Sequence, residues 1–440
     1  MNNAEIAGIF VAGMMVLIAL RVPLGAAMFI AGAAGYWWMV GDAVLLNYLK
    51  GLLWARFSVY DLSVIPLFLL MGQIASAAGF SRDLFQAANT LIGHRNAGVA
   101  QAAIIACACF GAISGSSVAT AATMSQVALP EMRRLNYSDR LACGTLAAGG
   151  TLGILVPPSI ILIVYALLAE QSITKLFAAS IIPAIIAAIG YMIAIAVYVR
   201  LYPGHAQIAP RANGKERIQA IGKAWPIASI FVILFVGIYG GFFTPTEGAA
   251  VATTATLCLA LIRRSMTWGQ IVRCFLPAAQ ATAMIYTMLL GGAMMNTALA
   301  VSQVPADFAT WTAGLSVHPL LIVGGFLLIF IVLTCILDEL AMMLLLLPVL
   351  LPTILGLDLF GLTVEYKAIW FGILMLVVVS VGLIAPPVGL DVYVVHKVAK
   401  TVPIGEIYRG IMPFLVSDFV RILLLLFFPQ ITLWAVMLMK

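Results

Sequence analysis

The segment that most constrains the fold covers residues 149–159, which read G-G-T-L-G-I-L-V-P-P-S inside a long apolar stretch. Pro157 and Pro158 remove two backbone donors, and the glycines before them loosen a helix that would otherwise continue. Lipid cannot satisfy the backbone groups freed by such a break, so the segment has to face protein or a water-filled cavity. In membrane transporters, broken helices of this kind form ion and substrate sites.

The composition of the chain places it in a lipid bilayer. Of the 440 residues, 63% are hydrophobic and only 9% are charged, whereas a soluble domain has about 25% charged residues. We therefore predict an all-α polytopic membrane protein. The net charge of +6 is concentrated in a few short loops, as expected for loops on the cytoplasmic side. No nucleic-acid partner is expected.

A second irregular segment lies within residues 97–132, a stretch too long for one span that carries G-A-I-S-G-S-S in its middle. Basic residues flank this stretch on both sides, which places both of its ends on the same face of the membrane. We predict a re-entrant helical hairpin with its tip at residues 114–117, followed by a broken helix at 141–168. The polar stretch 200–223 is the predicted cytoplasmic linker.

The second half of the chain repeats the first. P-L-G-A-A at 23–27 recurs as P-T-E-G-A-A at 245–250, A-L-P-E-M around Pro130 as L-L-P-T-I around Pro352, and G-I-L-V-P-P at 153–158 as G-L-I-A-P-P at 382–387. The motifs keep one order, about 220 to 230 residues apart. We predict repeats at 1–199 and 224–440, the second with a hairpin at 320–355 and a broken helix at 368–398. Their topologies are inverted, with both termini periplasmic.

Adjacent carboxylates mark the predicted tip of the second hairpin. Asp338 and Glu339 lie in an apolar run, where ionisable groups are expensive and usually functional. Aligning the two repeats places them opposite Ser116 and Ser117. The alternative is that one of the two carboxylates caps the helix that begins at Leu340.

Two further acidic positions have weaker signals. Asp391 follows the second break and either contributes to the site or pairs with His396 or Lys397 at the helix end. Asp418 and Arg421 are three residues apart in the last span, a spacing that predicts an internal ion pair on one helical face. We interpret that pair as structural.

The two tips and two breaks are expected to converge. Unwound carbonyls and hydroxyls are hard oxygen ligands that suit Na⁺, and helix N-termini favour an anionic group, so the pattern indicates cation-coupled anion uptake. An intramembrane hydrolase built on Ser114 lacks a histidine near the middle of a span, and the chain is not expected to be an enzyme. The histidines near predicted span ends are His94, His205, His318 and His396.

Four ordered motifs carry a resemblance to a known family: G-A-I-S-G-S-S-V-A-T-A-A-T, L-G-I-L-V-P-P-S, T-P-T-E-G-A-A-V and G-L-I-A-P-P-V-G. Across essentially its whole length the chain resembles the large membrane (M) subunit of tripartite ATP-independent periplasmic (TRAP) transporters. The resemblance implies a bacterial inner-membrane protein with an elevator mechanism, in which a transport domain moves against a scaffold. Na⁺ would be the coupling ion, with no organic cofactor. Two partners are implied: a small four-helix membrane (Q) subunit, expected as a separate chain, and a periplasmic substrate-binding (P) protein.

The resemblance and the residue chemistry together assign the site. Candidate substrate-binding residues are Ser114, Ser159, Asp338, Glu339 and Asp391. Candidate sodium ligands are Ser116, Ser117, Gly150, Thr151, Gly153, Thr334, Gly382 and Pro386. The predicted function is sodium-coupled, binding-protein-dependent import of small organic acids, either carboxylates or sugar acids. The alternative is a stand-alone cation-coupled carrier of dicarboxylate or citrate type that needs no binding protein.

Overall fold

The computed structural model describes residues 3–335 and 337–439, and the regular secondary structure of this part of the chain consists of helices, without a strand. Residues 1, 2 and 440 lie outside the described residues, and they include both termini, which are predicted to be periplasmic. The helices of the first half are α1 (Asn3–Ala19), α2 (Leu24–Val40), α3 (Asp42–Phe57), α4 (Val64–Ala77), α5 (Phe80–Ile92), α6 (Gly98–Ser114), α7 (Ser117–Arg134), α8 (Asp139–Leu155), α9 (Ile160–Leu168) and α10 (Ile173–Leu201).

The helices of the second half are α11 (Gly214–Tyr239), α12 (Pro245–Ile262), α13 (Trp268–Val301), α14 (Val304–Ala313), α15 (Pro319–Thr334), α16 (Glu339–Gly356), α17 (Val364–Gly382), α18 (Leu390–Ala399), α19 (Ile404–Phe427) and α20 (Pro429–Met437). Short 3-10 helices cover Tyr60–Ser63 and Pro203–His205. Among the described residues, eight helices are long and apolar enough to cross a membrane, and the pair α8 and α9, bent by 41°, forms a ninth candidate. The prediction of an all-α, multi-pass membrane protein is confirmed.

The irregular segment between the halves is shorter than the predicted linker 200–223. Helix α10 continues to Leu201, and α11 begins at Gly214. Helix α11 begins there because Asn213 and Glu216 form a capping box, in which each side chain accepts from the other residue's backbone amide. The polar composition of residues 214–223 therefore belongs to the exposed first turns of a helix.

One set of helices, which we call the frame group, comprises α1–α5 and α11–α13. Helix α2 packs along α13, and α4 packs against α12 and α13. Glycines permit the contact of α2 with α13, since a Cβ atom built on Gly291 would lie 2.0 Å from the carbonyl oxygen of Gly25. Backbone approach through small residues is how helices associate where lipid supplies no hydrophobic driving force.

The second set, the core group, comprises α6–α10 and α15–α20 and contains both hairpins and both breaks. Helix α8 lies at its centre against α6, α7 and α19. A Cβ atom on Gly111 would lie 2.5 Å from Cα of Gly153, so α6 and α8 touch through their backbones. The buried Lys367 of α17 donates from Nζ to the carbonyls of Leu355 (3.2 Å) and Leu357 (2.5 Å), which satisfies the C-terminal end of α16.

Candidate functional site

The tip of the first hairpin is a tight turn between α6 and α7. Gly115 has φ +60°, a left-handed conformation that favours glycine. Ser116 caps α7, since its Oγ accepts from the amide of Ala119 at 3.4 Å. The hydroxyl of Ser114 lies 2.7 Å from Oγ1 of Thr120, a residue that the sequence reasoning missed. The turn therefore presents hydroxyls and carbonyls from a few adjacent residues.

The first break lies directly against this tip. Helix α8 ends at Leu155, and Ser159 caps α9 by accepting from the amide of Leu162 at 3.4 Å. A Cβ atom on Gly153 would lie 2.6 Å from the carbonyl oxygen of Ser116, and one on Gly115 would lie 3.4 Å from that of Pro158. The peptide bond between Pro157 and Pro158 is cis. Hairpin tip and break thus share one surface of backbone oxygen atoms.

Asp391 brings the second half of the chain into this first cluster. It is fully buried at the start of α18, its Oδ2 accepts from the hydroxyl of Ser117, and its Oδ1 has no hydrogen-bond partner among the described residues. A Cβ atom on Gly150 would lie 2.9 Å from Oδ2, so the carboxylate fits between α7 and α8. The alternative pairing is not formed with His396, whose Nδ1 lies 2.9 Å from the carbonyl oxygen of Val402.

The tip of the second hairpin lies against the second break in a related way. A Cβ atom on Gly382 would lie 2.4 Å from Cβ of Thr334, which shows how closely α15 and α17 end together. Asp338 Oδ1 accepts from the amide of Leu340 at 3.0 Å, the capping role considered for this position. The neighbouring Glu339 has a buried Oε2 atom without a partner among the described residues.

A hydroxyl anchors the loop of the second break. Tyr408 of α19 donates to the carbonyls of Pro387 at 3.0 Å and Val388 at 2.7 Å. The bond between Pro386 and Pro387 is cis, and Gly389 has φ +60° just before α18. Tyr408 was not singled out from the sequence, because a tyrosine in an amphipathic helix gives no signal of a partner some twenty residues away.

The helix ends at these clusters set the local electrostatics. Helices α6, α8, α15 and α17 end there, and α7, α9, α16 and α18 begin there. Unpaired carbonyls at helix C-terminal ends carry partial negative charge and suit a hard cation, while amides at the N-terminal ends favour an anionic group. The arrangement can accommodate both a small cation and a carboxylate within the same region.

The structure brings all of the candidate residues except Thr151 into these two clusters. Thr151 turns away from the hairpin tip, and its Oγ1 donates to the carbonyl of Ala148 at 2.7 Å and lies 3.0 Å from the hydroxyl of Tyr191. In the first cluster are Ser114, Ser116, Ser117, Gly150, Gly153, Ser159 and Asp391. In the second cluster are Thr334, Asp338, Glu339, Gly382 and Pro386.

These helices, hairpins and breaks define a multi-pass membrane protein. The family model described as "Tripartite ATP-independent periplasmic transporter, DctM component" matches residues 11–431. The chain belongs to this family. It is 32% identical to the C4-dicarboxylate TRAP transporter large permease protein DctM of Pseudomonas aeruginosa, over 85% of this chain and 86% of that protein.

A second curated relative agrees with the assignment, and a solved structure shows a similar fold. The chain is 30% identical to the sialic acid TRAP transporter large permease protein SiaM of Vibrio cholerae, over 85% of this chain and 86% of that protein. Its fold is similar to the YdaH transporter of Alcanivorax borkumensis, with a TM-score of 0.64 at 15% identity over 97% of this chain and 98% of that one. The predicted resemblance to the M subunit is confirmed.

Family membership establishes the general role of the chain. It is the membrane permease of a binding-protein-dependent transporter, and it is a transporter subunit rather than an enzyme. Membership also implies a small membrane subunit and a periplasmic binding protein as partners.

Proposed function

We propose that this permease imports small organic acids, carboxylates or sugar acids, by sodium symport across the bacterial inner membrane. The observation that carries the proposal is the contact of each hairpin tip with a helix break, through Gly153 and Ser116 in one cluster and Gly382 and Thr334 in the other. The first contact gathers a backbone carbonyl and a hydroxyl, those of Ser116 and Thr120, and no lysine or arginine takes part in the hydrogen bonds described for that cluster. Oxygen sets of this type bind Na⁺ at the repeat interface of secondary transporters.

We divide the chain into inverted repeats at 1–199 and 224–440, with the linker at 200–223. Helix packing between the two halves supports this division. The matching motifs begin α2 and α12, and the packing of α2 on α13 is mirrored by that of α4 on α12. The hairpins α6–α7 and α15–α16 occupy matching places in chain order, as do the breaks α8–α9 and α17–α18. With inverted repeats, both termini face the periplasm.

Elevator movement of the core group against the frame group is supported by the kinds of contact at their boundary. Gly72 of α4 meets the hairpin tip through its backbone, since a Cβ atom there would lie 3.0 Å from Cα of Ser114. The ion pairs Arg263–Asp83, Lys175–Glu365 and Arg421–Asp418 each join residues on the same side of that boundary. A sliding movement of the core group would therefore break none of these three ion pairs.

The substrate class rests on the relatives, which transport a C4-dicarboxylate and sialic acid by name. Both substrates are carboxylates, which suits the helix N-terminal ends at Ser117, Ser159 and Glu339. Ser114, Ser159, Asp338, Glu339 and Asp391 are the residues we propose to line the substrate site. Membership in a family of binding-protein-dependent transporters argues against the stand-alone carrier that the sequence left open.

Uptake into proteoliposomes tests this proposal. The vesicles contain this chain with its small membrane subunit, and the cognate binding protein, first screened by thermal shift with succinate and sialic acid, is added outside. We expect uptake of the radiolabelled acid only with the binding protein and an inward Na⁺ gradient. Equal uptake with K⁺ in place of Na⁺ contradicts sodium coupling. Equal uptake without the binding protein contradicts the proposed dependence of import on that partner.

A further inference from the structure

Five polar side chains form a continuous line of contacts from one break to the other, which we call the polar chain. Its members are Thr151, Tyr191, Asp418, Arg421 and Ser380. Oγ1 of Thr151 in α8 lies 3.0 Å from the hydroxyl of Tyr191, which donates to Oδ2 of Asp418 at 3.0 Å. The other carboxylate oxygen of Asp418 forms an ion pair with Nη2 of Arg421 at 2.9 Å. The same nitrogen of Arg421 donates to Oγ of Ser380 in α17 at 3.1 Å.

The ends of the polar chain lie where the two helices are about to break. Thr151 is one helical turn before Leu155, the last residue of α8, and Ser380 lies in the last turn of α17, which ends at Gly382. Both hydroxyls also donate within their own helix. Ser380 donates to the carbonyl of Val377 at 2.6 Å. Thr151 has a single proton, which it shares in a three-centre bond between the carbonyl of Ala148 at 2.7 Å and the hydroxyl oxygen of Tyr191. The polar chain therefore connects the final turns of two helices from opposite halves of the sequence.

Stability alone does not account for the ion pair at the centre of the polar chain. Asp418 is 0% and Arg421 3% exposed, and Nε and Nη1 of Arg421 have no hydrogen-bond partner among the described residues. Burying two charges is expensive, and replacing such a pair by apolar residues of similar size is often neutral or stabilising. What the pair provides is fixed geometry, reinforced by the guanidinium lying 5.8 Å from the ring centroid of Tyr191.

We propose that Asp418 and Arg421 are positioning residues that hold the two helix breaks in one relation to each other. They act through Thr151 and Ser380, which are fixed just before the breaks, and the cation and substrate clusters lie beyond. Loss of the pair would let each break open independently, which weakens ion binding at both. The inference deepens the proposed function and rests on it only for the transport measurement described last.

Hydrogen exchange of the intact chain in nanodiscs tests the positioning role without any transported ligand. The main variant is the double substitution Asp418→Leu with Arg421→Met, which removes both charges and keeps apolar volume. We expect amides in residues 150–160 and 379–390 to exchange about tenfold faster or more, the effect of losing one charge-assisted hydrogen bond at each end. Thr432→Val is the matched control, because it removes a buried hydroxyl in α20 that has no hydrogen-bond partner.

Two single substitutions separate the ends and guard against a double variant that fails to fold. Tyr191→Phe cuts the link to Thr151 and should accelerate exchange at 150–160 alone, whereas Ser380→Ala cuts the other link and should accelerate exchange at 379–390 alone. Wild-type exchange at both segments in these variants overturns the inference. Uniform acceleration across all helices also overturns it, since that result means a general loss of stability.

Transport supplies a second readout that a purely structural role would not move. In vesicles with equal amounts of folded chain, the double variant should raise the half-saturating Na⁺ concentration by about tenfold with little change in maximal rate. A wild-type chain that ignores Na⁺ would refute the proposed function while leaving the exchange result to decide the inference. Normal Na⁺ dependence of the variant beside a Na⁺-dependent wild type would refute the positioning role.

Discussion

The substitution Gly153→Ala tests the geometry of the first cluster most directly. Gly153 is fully buried in α8, and an added Cβ atom would lie 2.6 Å from both the carbonyl oxygen of Ser116 and Oγ1 of Thr120. The first of these neighbours is backbone, so the hairpin tip itself has to move. Relief of the contact requires a displacement of roughly 0.6 Å, larger than the roughly 0.5 Å within which a functional site must be held.

The magnitude follows from two opposing terms. Alanine in place of a helical glycine stabilises the helix by about 0.5 to 1 kcal/mol. Overpacking costs about 1 to 3 kcal/mol, so the net loss of stability is about 2.5 kcal/mol or less, and the chain should still insert and fold. Displacement of the hairpin tip is the larger functional effect, because a shift approaching 1 Å at a reacting site lowers rates by about a hundredfold. We expect uptake to fall by about ten- to a hundredfold.

The assay is initial-rate uptake in proteoliposomes, normalised to the amount of folded chain, over a range of Na⁺ concentrations. Gly324→Ala is the matched control, because it lies within α15 and an added Cβ atom there would meet nothing within 4 Å. The control should transport like the wild type and unfold at the same or a higher temperature. Wild-type uptake and Na⁺ dependence in Gly153→Ala would refute the claim that contact of tip and break forms the site.

Two other substitutions each remove one side-chain donor that bonds to two backbone carbonyls. Lys367→Met removes the donor to the carbonyls of Leu355 and Leu357, so thermal unfolding in detergent should shift down by the equivalent of about 2 kcal/mol; an unchanged midpoint would mean that water satisfies those carbonyls. Tyr408→Phe removes the donor to the carbonyls of Pro387 and Val388, so uptake should fall about five- to tenfold, while thermal stability falls by the equivalent of about 1 kcal/mol or less because water can reach this partly exposed loop. Wild-type uptake kinetics would show that the loop of the second break does not limit transport.

The hairpins and breaks could be predicted because their signals are local. The Pro157–Pro158 pair forces the helix to stop near Leu155 and restart after Ser159, and the structure follows that reading within a few residues. The start of α11 inside the predicted linker 200–223 has an equally local reason. Asn213 and Glu216 are as polar as a linker, yet their spacing is that of a capping box.

The orientation of Thr151 could have been predicted from helix geometry. Each residue of an α-helix turns by about 100°, so Gly150 and Gly153 share a face, while Thr151 points elsewhere. The structure places Gly150 against Asp391, Gly153 against the carbonyl of Ser116, and Thr151 against Tyr191. A side chain on that other face can influence the first cluster only through the backbone of α8.

The contact of Asp391 with Ser117 could not be predicted from the local sequence. Its partner Ser117 lies in the other half of the chain, and the sequence around it offered His396 and Lys397 as nearer candidates. The contact forms because α18 packs against both α7 and α8, so the second break delivers its first helical residues into the first cluster. The two clusters are consequently not independent sites in separate halves of the chain. A structural change at either break therefore has two routes to the other break. One is the contact of Asp391 with Ser117, and the other is the proposed coupling through the polar chain.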